Sequence, residues 1–405
     1  MIFSFSFKPD TYACKNRECQ NRKGFGALFF SAENSAWKKT RNKGGSDIKK
    51  NKNKAAAGKK EKGSTWKKVL ITILVILIVL VGGATGALMY LHNEGRIALH
   101  EEVSPKKEGH YVTYKGQKYK YNDDIINILC LGIDKKGYGI DEYVDVNNDL
   151  GNADANLLVS LDMEKKKVYL TAIPRDSMVD VRVYNTAGGL DRTQEAQLTT
   201  QFYYGNDVKT SSDLMMDAVS KMLYQLPIQR VVTLNMDAIP KLNDAIGGVT
   251  VTALTDVNLP SGSYPAGTEI HLEGEDALSY VQYRNTGIAE SAEGRLERQK
   301  QYLLNYFTAA KGSIASDIGI PINLYNQLKD GDNMYSTLTL EDVSYLAPEL
   351  ISFDFGENSL YTLPGTVEMA DDLHEGYYLD KDAIREYVIN TFYEPVTEKA
   401  EEEKN

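Results

Sequence analysis

Apolar positions fall into three regimes along the chain. Residues 1–68 are polar and cannot bury a core, whereas Val69 to Leu91, VLITILVILIVLVGGATGALMYL, carries no charge. At about 1.5 Å per helical residue that run is long enough to cross a hydrocarbon layer. Residues 92–110 are polar and broken by Pro and Gly, which predicts a linker. From Tyr111 onward, runs of strand length alternate with segments of helical period. YVTYKGQKYKYN, Tyr111 to Asn122, predicts a hairpin turning at Lys115-Gly116. IINILCLGID, Ile125 to Asp134, is apolar almost throughout, as a strand buried on both faces is. ANLLVSLDMEKKKVYLTAIPRD adds two strands joined by a charged turn. SSDLMMDAVSKMLYQL has helical period, with Ser211 or Ser212 as the expected N-cap. QRVVTLNM reads as a strand, and DAIPKLNDAIGGVTVTAL as a helix that a Gly-Gly C-cap closes before a further strand. EGEDALSYVQYR and GRLERQKQYLLNYF add helical segments, and TLTLEDVSYLAPEL a helix opened by a Thr339/Asp342 capping box. The alternation predicts an α/β fold: a central mixed β-sheet with helices on both faces, preceded by one transmembrane helix. No internal repeat is evident.

Charge sharpens the topology. Eighteen Lys and Arg against five Asp and Glu leave residues 1–68 at +13, and the remainder at −23, within a net charge of −10. Lys67 and Lys68 flank one end of the apolar run, and Glu94, Glu101 and Glu102 the other. Basic residues gather on the cytoplasmic side, so the tail is expected inside and everything beyond residue 92 outside. The run is too long and too deep in the chain for a cleaved signal peptide. The tail reads as a disordered segment drawn to anionic lipid; no helix-turn-helix or finger pattern supports nucleic-acid binding. Cys14 and Cys19 precede the apolar run and only Cys130 follows it, so no disulfide framework is expected outside.

Pro174 ends a strand ladder, and Arg175 and Asp176 follow at once. In an α/β sheet, sites gather beyond the carboxyl ends of the strands. Asp134 follows the first buried strand, and Asp154 stands at the mouth of the next. Farther on, Arg295, Arg298, Gln299 and Tyr302 are three or four residues apart and share a helix face, while Leu296, Leu303 and Phe307 form its apolar stripe. With Arg175 and Arg284, these guanidiniums are numerous enough to converge on a phosphate. Asp134, Asp154 and Asp176 suit Mg²⁺, which takes one or two carboxylates together with phosphate oxygens. The plainer alternatives are solvated arginines paired with Glu290, Glu293 and Glu297, and turn-forming aspartates. His271, in GTEIHLEG, is better read as a strand residue than a base, and Cys130 as a buried, inert thiol. No G-x-S-x-G elbow, P-loop or H-E-x-x-H is present.

Taken in order, NILCLGID, GNADANLLVSLD, LTAIPRDS, FYYGN, LNDAIGGVTV, YVQYRN and GRLERQKQYL resemble the motifs of the LytR-CpsA-Psr family of bacterial cell-wall proteins, over roughly residues 123–310. The resemblance implies an extracytoplasmic, Mg²⁺-assisted phosphotransferase. It would move a glycopolymer from a polyprenyl-pyrophosphate carrier onto peptidoglycan, forming a phosphodiester and releasing polyprenyl phosphate. It implies metal-side roles for Asp134 and Asp154, and catalytic roles for Asp154, Arg175 and Asp176. Arg175, Arg284, Arg295, Arg298 and Gln299 would grip the phosphates, and an apolar groove would take the lipid. The chain departs from the family pattern at Asn152 and Gln282, where arginines are usual, and at Ala292 for an acidic residue, while the usual lysine is either Gln197 or missing. Asp244 matches a family aspartate but sits where a helix end explains it equally well. A low-turnover binding or regulatory protein of the same fold is the alternative. The expected organisation is a tail over 1–68, a membrane helix over 69–91, a linker and hairpin over 92–122, a catalytic domain over 123–310, an extension over 311–395 and a solvated tail over 396–405.

Overall fold

In the computed structural model, the described residues are 89–99, 111–137, 139–140, 150–185, 189–283, 291–370 and 375–396. The basic tail with Cys14 and Cys19, residues 69–88 of the apolar run, Arg284, Glu290 and the acidic end of the chain lie outside them. Among the described residues no helix is long and apolar enough to cross a membrane.

Residues 89–99 form helix α1, so the beginning of the expected linker is helical. The reason is packing: His92, Gly95 and Leu99 recur at helical spacing, Leu99 is fully buried, and the His92 ring meets Tyr345 edge-on at 5.0 Å. Strands β1 (Tyr111–Tyr114) and β2 (Gln117–Tyr121) form the expected hairpin. Its turn residues Lys115 and Gly116 have φ of 48° and 81°, the type I′ geometry that matches strand twist. β3 (Ile125–Ile133), β4 (Ala153–Asp162) and β5 (Lys167–Ala172) follow as antiparallel neighbours. The hairpin of β6 (Met178–Tyr184) and β7 (Leu190–Gln197) leads into α2 (Thr199–Tyr203), α3 (Val208–Met222) and β8 (Arg230–Leu234), which lies parallel to β3.

Helix α4 (Ala238–Ala245) ends in Gly247 and Gly248, both left-handed, and feeds β9 (Val249–Thr252). β10 (Val257–Leu259) pairs with β11 (Gly262–Tyr264), and β12 (Glu269–Leu272) returns to β9. Helices α5 (Glu275–Gln282), α6 (Ser291–Ser316) and α7 (Ile320–Asp330) precede β13 (Met334–Ser336), α8 (Leu340–Leu350) and β14 (Leu360–Thr362). The hairpin of β15 (Gly365–Met369) and β16 (Glu375–Leu379), then α9 (Lys381–Phe392) and β17 (Tyr393–Pro395), complete the described chain.

The central sheet runs β13-β8-β3-β4-β5-β14 and is mixed, with β8 and β14 parallel to their inner neighbours. Strand β3 explains the layering. Leu129, Leu131 and Ile133 join Met215 and Val219 of α3 and Val388 and Phe392 of α9 in one core. Ile126 and Ile128 face the other way, into a core with Tyr345 and Leu346 of α8 and the half-buried Leu303 and Phe307 of α6. Helices thus cover both faces, as the uninterrupted apolar pattern of β3 requires. Residues after 310 supply both edge strands of this sheet.

Two caps show how local chemistry chose the helix ends. Helix α3 starts at Val208 because the Asp207 carboxylate accepts the Thr210 N–H; Ser211 and Ser212 lie buried inside it, and the expected serine cap is corrected accordingly. Helix α8 opens with the Thr339/Asp342 box. Asp342 also receives Arg230 in a buried ion pair, Nε to Oδ2 at 2.7 Å, tying the helix to the start of β8.

Candidate functional site

Four predicted residues meet at one edge of the central sheet. β4 is antiparallel to both β3 and β5, so the start of β4 and the carboxyl ends of β3 and β5 coincide there, together with the end of the parallel β8. Asp134 leaves β3, Asp154 opens β4, and Arg175 follows β5 across Pro174. The Arg175 guanidinium donates from Nη1 to Asp154 Oδ1 at 2.5 Å, and its Nε lies 3.4 Å from Asp176 Oδ1. Thr199, at the start of α2, donates its hydroxyl to the same Asp154 oxygen at 3.4 Å and its N–H to the Arg175 carbonyl at 2.9 Å. Asp134 Oδ1 accepts the Asn152 N–H at 2.5 Å. Gly151 makes this contact possible: its φ is 83°, and a Cβ there would sit 2.6 Å from that Asp134 oxygen.

The electrostatics follow from this packing. Partial burial works against the Arg175 charge, but Asp154, Asp176 and Asp134 outweigh it and hold the guanidinium above its ordinary value. The cation is therefore permanent, with its side chain still 37% exposed at the sheet edge. Asp134 and Asp154 are exposed on adjacent strand ends. Among the described residues, no three or more His, Cys, Asp and Glu side chains are grouped to hold a metal ion. Asp134 and Asp154 are of the donor type that Mg²⁺ takes, one or two carboxylates beside water and phosphate oxygens.

Helix α5 brings the second group toward this edge. Lys136, two residues past Asp134, pairs with Glu275 at its start (2.8 Å), and Gln282 at its end donates to Met236 Sδ beyond β8 (3.0 Å). Gln299 on α6 is exposed and donates to the Val281 carbonyl at 3.1 Å; Arg295 is half-buried one turn earlier. Arg298 is different. It is 2% exposed, its Nη2 donates to the Tyr283 carbonyl, and its guanidinium stacks over the Tyr283 ring at 5.3 Å. Burial pushes it below its ordinary value, against Tyr280 and Tyr283, and pushes the Tyr280 hydroxyl up to about 12. Arg298 therefore faces inward instead of sharing an open face with Gln299. Tyr302 likewise packs into the core of the β9/β12 and β10/β11 sheets.

Sequence reasoning missed Thr199, whose hydroxyl no motif distinguishes from a helix-start threonine. It also missed the backbone of Asn152, which acts whatever its side chain is. Asp244 accepts the Gly274 N–H at 2.7 Å and joins α4 to α5. His271 lies on β12, exposed and bonded to Thr250, away from the sheet edge. Cys130 lies within β3, and burial pushes its thiol up to about 12. Beside the second core, a cavity of about 200 Å³ is lined almost wholly by apolar side chains, among them Tyr306, Phe307 and Ala310 of α6, Leu324 of α7, and Phe353 and Phe355.

Comparison with known proteins agrees with this architecture. The family model described as the LytR_cpsA_psr family matches residues 89–337. The polyisoprenyl-teichoic acid–peptidoglycan teichoic acid transferase TagT of Bacillus subtilis is 27% identical over 319 residues, 73% of this chain and 84% of that protein. The corresponding TagU of Enterococcus faecalis is 25% identical over 313 residues, covering 76% and 91%. The crystal structure of Bacillus subtilis TagV superposes with a TM-score of 0.51 at 22% identity, over 66% of this chain and 96% of that one, and so shares the fold.

Proposed function

This chain belongs to the LytR-CpsA-Psr family, and from that premise we propose that it is a membrane-anchored phosphotransferase. Its N-terminus would face the cytoplasm and its folded domain the outside. It would carry a glycopolymer from a polyprenyl-pyrophosphate donor to peptidoglycan. The acceptor hydroxyl attacks the phosphorus next to the polymer, the bond to the polyprenyl phosphate breaks, and the hydroxyl proton goes to the released polyprenyl phosphate or to water. The names of the relatives make a teichoic acid the first polymer to test.

The observation that carries this reading is the ion cluster of Arg175, Asp154 and Asp176 beside Asp134, on the carboxyl edge of the sheet. Phosphoryl transfer needs positioning and charge neutralisation more than a protein nucleophile. Arg175 supplies a fixed cation there; Arg284, Arg295 and Gln299 would add to the grip on the phosphates. Asp134 and Asp154 would hold Mg²⁺, which supplies further neutralisation when bound. Arg298 supports the group from behind, through the Tyr283 carbonyl. The apolar wall that α6 gives the cavity, twelve residues beyond Arg295 at Phe307, suits the lipid of an amphiphilic donor.

One observation favours the binding-protein reading: Gln282, where the family usually has arginine, is spent on Met236. Polyprenyl phosphate release by the full chain in vesicles, measured for the wild type and for Asn152→Arg/Gln282→Arg, decides between them. Turnover by the wild type upholds the transferase. Tight donor binding with turnover only in the double variant would replace it with the binding protein.

A further inference from the structure

The segment that leads out of the apolar run is docked on the folded domain. Gly95 of α1 lies so close to α8 that a Cβ there would be 2.2 Å from the Glu341 carbonyl oxygen. One turn earlier, His92 meets Tyr345 of α8. Position falls on α1 as it rises on α8, so the two helices run antiparallel. Following α8 from Tyr345 to its last residue, Leu350, moves about 7 Å toward the apolar run. Leu350 therefore lies past the level of Met89, the first described residue of α1. Met89 and Tyr90, at that end of α1, are 74% and 65% exposed, although both are large and apolar. Tyr at such a position suits a membrane–water interface. Just past Leu350 come Phe353 and Phe355, and all three line the apolar cavity.

We infer that the α1–α8 contact is a helix clamp that holds the carboxyl end of α8 and the Phe353–Phe355 loop at the bilayer surface. The cavity then receives hydrocarbon sideways from the membrane, and a donor lipid need not be lifted through water. This inference rests on the membrane-anchored transferase proposed above and adds the surface by which the domain meets the bilayer.

Ser352 is exposed between Leu350 and Phe353 and is suited to a spin label. The full chain, with Cys14 and Cys19 replaced by Ser and the half-buried Cys130 by Val, carries Ser352→Cys in vesicles of phosphatidylglycerol and phosphatidylethanolamine. A second protein carries the label at Leu190→Cys on the β6–β7 hairpin. Accessibility to oxygen, against a water-soluble nickel chelate, reports depth. The Ser352 label is expected to favour oxygen several-fold over the Leu190 label. Four alanines inserted between Leu91 and His92 keep the clamp residues together but add a helical turn, about 6 Å. That variant should melt at the unchanged temperature and lose the oxygen preference; Gly95→Leu should lose it as well. A water-exposed Ser352 label in the parent chain, or a preference that survives the insertion, overturns the clamp. Transfer measured on the same vesicles separates the two claims. Transfer with a water-exposed label removes the clamp alone, and a buried label without transfer removes the reaction alone.

Discussion

Arg175 has three aspartates around it, and the consequence for catalysis depends on which partner is removed. Arg175→Ala deletes the guanidinium that Asp154 and Asp176 hold, and the transfer rate should fall by about two to three orders of magnitude, as when a positioned charge is lost from a transition state. Steady-state rates of polyprenyl phosphate release measure it. Gly151→Ala acts indirectly. A left-handed φ of 83° is strained for alanine by about 1–2 kcal/mol, and the new methyl displaces the Asp134 carboxylate. The Mg²⁺ concentration giving half-maximal rate should rise while donor binding stays near wild type. A change in donor binding alone would show that Asp134 is not on the metal side. Asp134, Asp154, Arg175 and Asp176 were legible in sequence because strand ends and Pro174 announce themselves locally. Arg298 was not. A helical face locates it beside Gln299, but the tertiary packing of α5 against α6 turned it inward onto Tyr283.

Among the elements, α8 tests how much one buried charge pair holds. Asp342 closes the capping box and receives Arg230 with its side chain fully buried. Asp342→Ala removes the cap acceptor and takes the carboxylate away from a buried guanidinium, so the fold should lose about 3–5 kcal/mol, read from urea unfolding midpoints. A loss below about 1 kcal/mol would mean that the pair is offset by its own desolvation. The capping box itself was readable from Thr339 and Asp342, since its chemistry spans four residues. Its partner at Arg230 was not, because 112 residues separate the pair. The same limit explains α1: His92, Gly95 and Leu99 look like a polar linker until α8 gives them a surface.

For the molecule as a whole, titratable groups buried in the cores or half-buried against them predict an alkaline limit. The folded state favours the neutral Cys130 thiol and holds its pKa near 12, up from its ordinary value near 9. Burial also raises the hydroxyls of Tyr280 and Tyr387 to about 12. Each folded value lies above the unfolded one, so this stability is complete below about pH 9 and is lost as pH rises toward 12. Urea midpoints from pH 8 to 11 should fall, and Cys130→Val should flatten the lower part of the decline. The mixed sheet with helices on both faces was readable because β3 is apolar on both sides. The most direct test of the account remains the reaction itself. The full chain in vesicles is given a polyprenyl-pyrophosphate saccharide and peptidoglycan fragments, with Mg²⁺ or EDTA, as wild type, Asp154→Ala and Arg175→Ala. The account predicts saccharide attached to peptidoglycan through a phosphodiester, one polyprenyl phosphate released per attachment, and loss of both with EDTA or either substitution. Donor bound tightly by the wild type with no attachment, or attachment undiminished in both variants, would contradict it.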